Sequence, residues 1–385
     1  MADSISGYRS APAAFTKFSH NKIILRCLCE IMHGIIALHT VFIAGGSFIL
    51  HKIDLLSGNI LVTGAAGFIG AALSHRLLDY GCRVIGIDNM NDYYSVGLKN
   101  YRLKALEAVE NFTFIHGDIS DSETVRELFS KYSPSIVVNL AAQAGVRYSI
   151  VNPDVYIQSN IIGFYNILEA CRHSDNVRHL VFASSSSVYG GSKKIPFSVE
   201  DKTDSPVSLY AATKKSNELL AHSYSHLYGI PATGLRFFTV YGPAGRPDMA
   251  YYKFADTLRA GGTIQIFNYG KCERDFTYID DIVEGVFRVM QGAPENFSVY
   301  NIGGGRPENL LEFIDVLQRE LVRAGVLPSD YDFEGHRELV PMQPGDVPVT
   351  FADSSGLERD FGFTPKIDIH EGLRRFAEWY AEYYE

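Results

Sequence analysis

Residues 60–62 (Ile-Leu-Val) run straight into GAAGFIG at 64–70, and this junction restricts the chain more than any other stretch. A short β-branched run reads as a buried strand, and the glycines behind it turn that strand into a helix. Gly64 permits the tight turn, Gly67 lets backbone approach a pyrophosphate, and Gly70 lets helix and strand pack closely. With Phe68 and Ile69 they open a helix whose N-terminus faces negative charge. Leu73, Leu77 and Leu78 continue that helix at the right spacing, and a second strand at 83–87 ends on Asp88, 18 residues after Gly70. An acid at that position accepts from ribose hydroxyls and repels a 2′-phosphate, so the order strand, glycine turn, helix, strand, acid predicts an NAD site.

Further strand–helix units follow. Residues 112–116 lead to Gly117-Asp118-Ile119, where Asp118 can take the adenine amino group and Ile119 lies beside it. Residues 135–140 end in Ala141-Ala142, small enough for backbone to approach the cofactor, and residues 179–183 end in serines. Strands alternating with helices predict an α/β fold: a Rossmann-type doubly wound parallel sheet with a smaller C-terminal α/β substrate lobe. The expected division is 1–58 as an N-terminal extension, 59–242 as the NAD-binding domain and 243–385 as a substrate-binding lobe that returns in part to the sheet.

Charge and cysteine content narrow the partners. Lys plus Arg number 35 against 44 Asp plus Glu, a net −9 over 385 residues, so no nucleic-acid partner is expected. The five cysteines contain no CxxC pair, which argues against a disulfide framework and against a metal site. They favour a reducing compartment, and a cytoplasmic location is the expectation.

The first 58 residues differ from the rest. Residues 1–20 lack apolar periodicity and are expected to be disordered. Residues 34–50 carry His39 as their sole ionisable side chain, at the short limit for a membrane helix. Three readings stay open: a membrane contact or anchor through 34–50, an apolar helix packed on the body or on a partner, and an extension outside the working protein.

The serine run SSSS (184–187) ends the strand at 179–183, and Tyr210 and Lys214 open a helix some 20 residues later. Tyr and Lys at i and i+4 share one helix face. An ammonium beside the phenol favours phenolate, and a serine hydroxyl can bond the same substrate oxygen. Such a group moves a proton off a carbinol while hydride leaves for NAD⁺.

With these residues in place the chain resembles the NAD-dependent epimerase/dehydratase family, the extended short-chain dehydrogenase/reductases. The likeness is greatest to its UDP-glucuronate 4-epimerase group. The strings LAAQAGVRYS (140–149), FASSSSVYGG (182–191), SLYAATKK (208–215), GLRFFTVYGP (234–243), GRPDMAYY (245–252) and ERDFTYIDDIVEG (273–285) carry it. The resemblance implies Tyr210 as acid/base, Lys214 on the phenol and nicotinamide ribose, and Ser185 and Ser186 on the sugar 4-hydroxyl. It also implies Arg274 at the UDP phosphates and Thr239 and Arg246 at the C6 carboxylate. It predicts a homodimer paired through helices 160–172 and 210–228, by Ile167, Leu168, Leu219, Leu220 and Leu227.

Within the family, sugar 4,6-dehydratases place an Asp and a Glu after the catalytic hydroxyl, whereas Ser185-Ser186-Ser187 offers no carboxylate. Oxidation and reduction at C4 then fit better than elimination. Arg246 offers a fork suited to a carboxylate, so 4-epimerisation of UDP-glucuronate through a 4-keto sugar is the expected reaction. The alternatives are a 4-epimerase of a neutral UDP-sugar and a non-catalytic NAD-binding scaffold. One departure is Ala244, where the family usually has an aromatic residue. Further along, 265–268 reads as a strand whose Phe267 either stacks on uracil or belongs to the core, and Gly345-Asp346-Val347 resembles a segment near the nucleotide ribose. The terminal WYAEYYE reads as a packed helix. A locally basic site is expected at Arg246, Arg274 and Lys214, against the overall negative charge.

Overall fold

A computed structural model describes residues 50–342 and 349–385. Seven parallel strands form its main sheet: β1 (Asn59–Thr63), β2 (Arg83–Asp88), β3 (Phe112–His116), β4 (Ile136–Asn139), β5 (His179–Ser185), β6 (Ala232–Phe237) and β7 (Phe297–Ile302). Their order is β3-β2-β1-β4-β5-β6-β7. Parallel strands are covered on both faces, which is why β4 (Ile-Val-Val-Asn) and β6 are buried at every position. Strand order reverses between β1 and β4, and a doubly wound sheet opens its ligand crevice at that reversal.

The helices that shape the crevice are α1 (Phe68–Asp79), α2 (Val96–Glu107), α3 (Ser122–Tyr132), α4 (Gly163–Arg172) and α5 (Leu209–Tyr228). Helix α4 is entered through a π-helical turn, Ile157–Ile162, that the apolar periodicity does not reveal. Helix α5 is capped by Ser208, whose hydroxyl accepts from the Ala211 N–H, and ends at Gly229 with φ 67°. Ile167 and Leu168 on α4 are buried in the core of this chain, so they are not available to a partner, contrary to expectation. The exposed apolar side chains of α4, α5 and the preceding turn are Ile157, Ile162, Tyr165, Leu219, Leu227 and Tyr228.

From Thr239 onward the chain builds a smaller layer beside the sheet. Thr239–Tyr241 lies parallel to Glu273–Tyr278, which also pairs with Pro307–Asn309 and Val349–Thr350. An aromatic core holds this layer, with Phe276 stacked on Phe313 at 3.8 Å between ring centres. The terminal helix Ile369–Tyr384 contributes Phe376 and Tyr380 to that core, both fully buried. Residues 265–268 are not all strand: Ile264–Ile266 ends before Phe267, which opens a tight turn because Asn268 and Tyr269 adopt φ 53° and 52°.

Residues 50–57 belong to the body, upstream of the boundary the sequence suggests. Leu50–Lys52 pairs antiparallel with Gly292–Pro294, and Ile53 and Leu55 are buried. Arg178 donates to the Ser57 hydroxyl at 2.7 Å. Residues 34–49 and the segment Gly345-Asp346-Val347 lie outside the described residues, as do the expectations placed on them. Among the described residues no helix is long and apolar enough to cross a membrane.

Candidate active site

The crevice at the β1/β4 reversal is lined by Gly64, Gly67, Phe68, Ile69 and Gly70 from the turn and by Asp88, Asp118 and Ile119 from the next two strands. Ala141, Ala142, Ser185, Tyr210, Lys214 and Arg246 complete it. The sequence-predicted residues Ser186, Thr239 and Arg274 are not in this lining. Ser186 opens the turn after β5, while Thr239 and Arg274 lie on the two paired strands of the smaller layer.

The turn has room only for glycine. Gly64 adopts φ 70°, and a Cβ there would lie 2.9 Å from the Ala141 nitrogen. A Cβ on Gly70 would lie 2.1 Å from the Gly64 carbonyl oxygen. Helix α1 starts at Gly67 without a side-chain cap, so its first N–H groups are left for a ligand anion. Two polar side chains that the sequence does not flag lock the far wall. Thr63 donates to Asn139 at 2.8 Å and accepts from the Ala141 N–H at 3.0 Å. Asn160, in the π-helical turn, holds both the N–H and the C=O of Gln143.

Asp88 accepts from the N–H of Met90 at 2.9 Å and of Ala66 at 3.2 Å, which fixes its carboxylate beside the turn. It also pairs with buried Lys99 at 3.4 Å, a partner that sequence order conceals. Burial works to raise the pKa of Asp118, but hydrogen bonds from Asn89 and Ser120 outweigh it and hold the acid below its ordinary range. Both acids therefore stand as acceptors at the mouth of the second and third strands. With the glycine cradle and the uncapped helix start, these residues fit an adenine dinucleotide.

At the other end Ser185 accepts from the N–H and the hydroxyl of Ser187, at 3.1 and 2.9 Å, leaving its own proton to donate outward. Lys214 donates to the Ala183 carbonyl at 3.0 Å, and burial brings its pKa down to about 8. Burial raises the Tyr210 phenol, while the Ser185 hydroxyl and the Arg246 charge work against that rise. The sequence assigns this opposing charge to Lys214, but in the fold Lys214 is turned to backbone and Arg246 supplies it. Arg246 gives one edge of its fork to Asp248, Nε at 3.0 Å and Nη2 at 2.5 Å, which leaves the Nη1–Nη2 edge for a second carboxylate. Tyr93 donates to the same Asp248 at 3.2 Å.

Below Ser185, Glu218 and Arg236 form a buried two-bond pair at 2.8 and 2.9 Å, with Ser184 donating to the same carboxylate at 2.6 Å. The pair ties α5 to β6, and the Ser184 bond ties the end of β5 to α5. Glu218 lies outside every family string, and Arg236, inside GLRFFTVYGP, has nothing in the sequence that marks it as its partner.

The Lys214 shift has a consequence for stability. In the unfolded chain the lysine holds its proton up to its ordinary 10.5, and in the cofactor-free fold it releases it from about 8. Between those values the unfolded chain binds more protons, so this group makes stability rise with pH. Thermal melts of wild type and Lys214→Met, without cofactor, are expected to show the wild type gaining on the variant between those two pH values. A difference that stays flat there contradicts the burial of this amine.

Comparison with known proteins agrees with this geometry. Residues 61–376 match the sequence profile of the family described as GDP-mannose 4,6 dehydratase. Protein CapI of Staphylococcus aureus is 48% identical over 343 residues, covering 85% of this chain and 99% of that one. UDP-glucuronate 4-epimerase 4 of Arabidopsis thaliana is 46% identical over 341 residues, covering 84% of this chain and 76% of its own. The crystal structure of UDP-glucuronic acid 4-epimerase from Bacillus cereus, with UDP-glucuronic acid and NAD, is 33% identical and superposes with a TM-score of 0.76. That likeness covers 85% of this chain and 100% of that one. The chain belongs to the nucleotide-sugar epimerase/dehydratase family, in the group of the UDP-glucuronate 4-epimerases.

Proposed function

We propose that the protein interconverts UDP-glucuronate and UDP-galacturonate by NAD-dependent epimerisation at C4. The observation that carries this reading is the content of one crevice. It brings Arg246 to Tyr210, Lys214 and Ser185, while its lining carboxylates, Asp88 and Asp118, sit at the opposite, adenosine end. A dehydratase needs an acid and a base beside C5 and C6; among the described residues no carboxylate lines that end, and Asp248 beside it is held by Arg246 and Tyr93. The two 4-epimerases named above, from Arabidopsis thaliana and Bacillus cereus, support the same substrate.

Bound along the glycine turn, NAD supplies the hydride acceptor and donor for the sugar's C4. Tyr210 takes the proton of the C4 hydroxyl and returns it, and Ser185, its own oxygen already bonded by Ser187, donates to the same sugar oxygen. Arg246 holds the C6 carboxylate by its open edge. Thr239 joins it there, Ser186 assists Ser185, and Arg274 meets the diphosphate. These three roles rest on the family strings that carry the residues.

The grip on the carboxylate also protects the product. A 4-keto glucuronate is a β-keto acid and loses CO₂ when its C5–C6 bond aligns with the carbonyl π system. Arg246 keeps that bond out of alignment while the 4-keto sugar turns its other face to the cofactor. A homodimer through the exposed face of Ile162, Tyr165, Leu219, Leu227 and Tyr228 belongs to the proposal. A cytoplasmic location goes with it, since Cys82, Cys171 and Cys272 are buried free thiols.

Purified protein incubated with UDP-glucuronate should yield UDP-galacturonate by NMR. A UDP-pentose as the main product, or no change with NAD present, contradicts the assignment. Light scattering should give twice the chain mass, and a mass of one chain removes the dimer.

A further inference from the structure

Arg102, on α2, is 4% exposed, yet none of its hydrogen bonds among the described residues goes to a carboxylate. Nη1 donates to the Ala66 carbonyl at 3.0 Å and to the Tyr94 hydroxyl at 2.8 Å. Nε and Nη2 donate to the carbonyls of Ala244 and Gly245, each at 2.9 Å. A buried guanidinium is costly unless its donors are met, and three of these four bonds go to backbone from two separate loops. Ala66 lies in the glycine turn. Ala244 and Gly245 immediately precede Arg246.

The second loop is weakly held from behind. Ala244 offers a methyl group alone and borders an open cavity of about 650 Å³, lined also by His75, Tyr101, Pro243 and Ile279. Its φ of 51° is a conformation alanine disfavours. Next to it, a Cβ at Gly245 would fall 1.7 Å from the Tyr251 hydroxyl oxygen, so a larger residue cannot stiffen the loop there. Side-chain packing at 244 and 245 thus does little to set the backbone, whereas the planar fork of Arg102 fixes two successive carbonyls in direction.

We infer that Arg102 is a positioning residue for the carboxylate grip, tying the loop that carries Arg246 to the turn that cradles the cofactor. The inference rests on the reading of Arg246 as the partner of the sugar carboxylate. With the tie cut, the loop and Arg246 drift relative to the glycine turn. The C5–C6 bond of the 4-keto sugar can then align with the C4 carbonyl. Its electron pair moves into an enolate, CO₂ leaves, C5 takes a proton from solvent, and the hydride earlier removed from C4 returns there to give a UDP-pentose.

The test compares Arg102→Lys, Arg102→Gln and Arg246→Ala with wild type, all as purified holo-protein. Calorimetry gives the affinity for UDP-glucuronate and for UDP-glucose, NMR gives the products, and melting gives the fold. Arg102→Lys is expected to weaken UDP-glucuronate binding about tenfold, the scale of one charge-assisted hydrogen bond, with UDP-glucose binding changed less than about twofold. A UDP-pentose should appear beside UDP-galacturonate. Arg246→Ala should shift the same ratio in the same direction, and Arg102→Gln decides if the lysine variant does not fold. Equal weakening of both ligands makes Arg102 a purely structural residue and overturns the inference. So does wild-type selectivity in the Arg102 variants when Arg246→Ala loses it. Wild-type selectivity in Arg246→Ala removes the carboxylate grip itself and the inference with it.

Discussion

A Cβ at Gly70 would lie 2.1 Å from the carbonyl oxygen of Gly64, and one at Gly67 would lie 2.9 Å from the same atom. This crowding brings β1, the start of α1 and the end of β4 to one point. The rest of the site takes its position from there. Asp88 bonds the Ala66 N–H, Thr63 spans from β1 to Asn139 and Ala141, and Arg102 takes the Ala66 carbonyl. Cofactor cradle and substrate loop are thus referred to a single rigid turn, which is what a hydride transfer of fixed geometry demands.

The protein carries a net charge of −9, yet its substrate brings a diphosphate and a carboxylate. The crevice meets this with oriented donors more than with bare positive charge. Lys99 faces Asp88, Arg246 faces Asp248, and Lys214 donates to the Ala183 carbonyl. Asp248 has two effects on Arg246: it offsets part of the charge, and it fixes which edge of the guanidinium remains open. The local positive excess expected from the sequence is therefore reduced at Arg246, while the direction of its donors is better defined.

The dinucleotide half of the site was legible because its logic is local. Strand, glycine turn, helix and Asp88 follow within 30 residues, and each obeys a backbone requirement that glycine or an acid alone meets. Tyr210 and Lys214 were legible for the same reason, being one helical turn apart. Thr63 and Asn139 were not, since they meet across 76 positions. Arg102 meets Ala244 across 142 positions, and nothing in its own neighbourhood marks it. Ile167 and Leu168 misled because an apolar helix face reads alike whether it meets the protein's own sheet or a second copy. Leu50–Lys52 escaped notice because its pairing partner, Gly292–Pro294, lies about 240 positions further along the chain.

The central claim is that chemistry occurs at C4 alone, by removal and return of one hydrogen, because among the described residues no carboxylate lines the substrate end of the crevice, and Asp248 beside it is held by Arg246 and Tyr93. UDP-glucuronate labelled with deuterium at C4, turned over in ordinary water, tests this most directly. The label should be found wholly at C4 of the UDP-galacturonate, and the converse experiment in heavy water should place no deuterium at C4 or C5. Loss of the C4 label to solvent, or solvent deuterium at C5 of the epimerised product, would contradict the account.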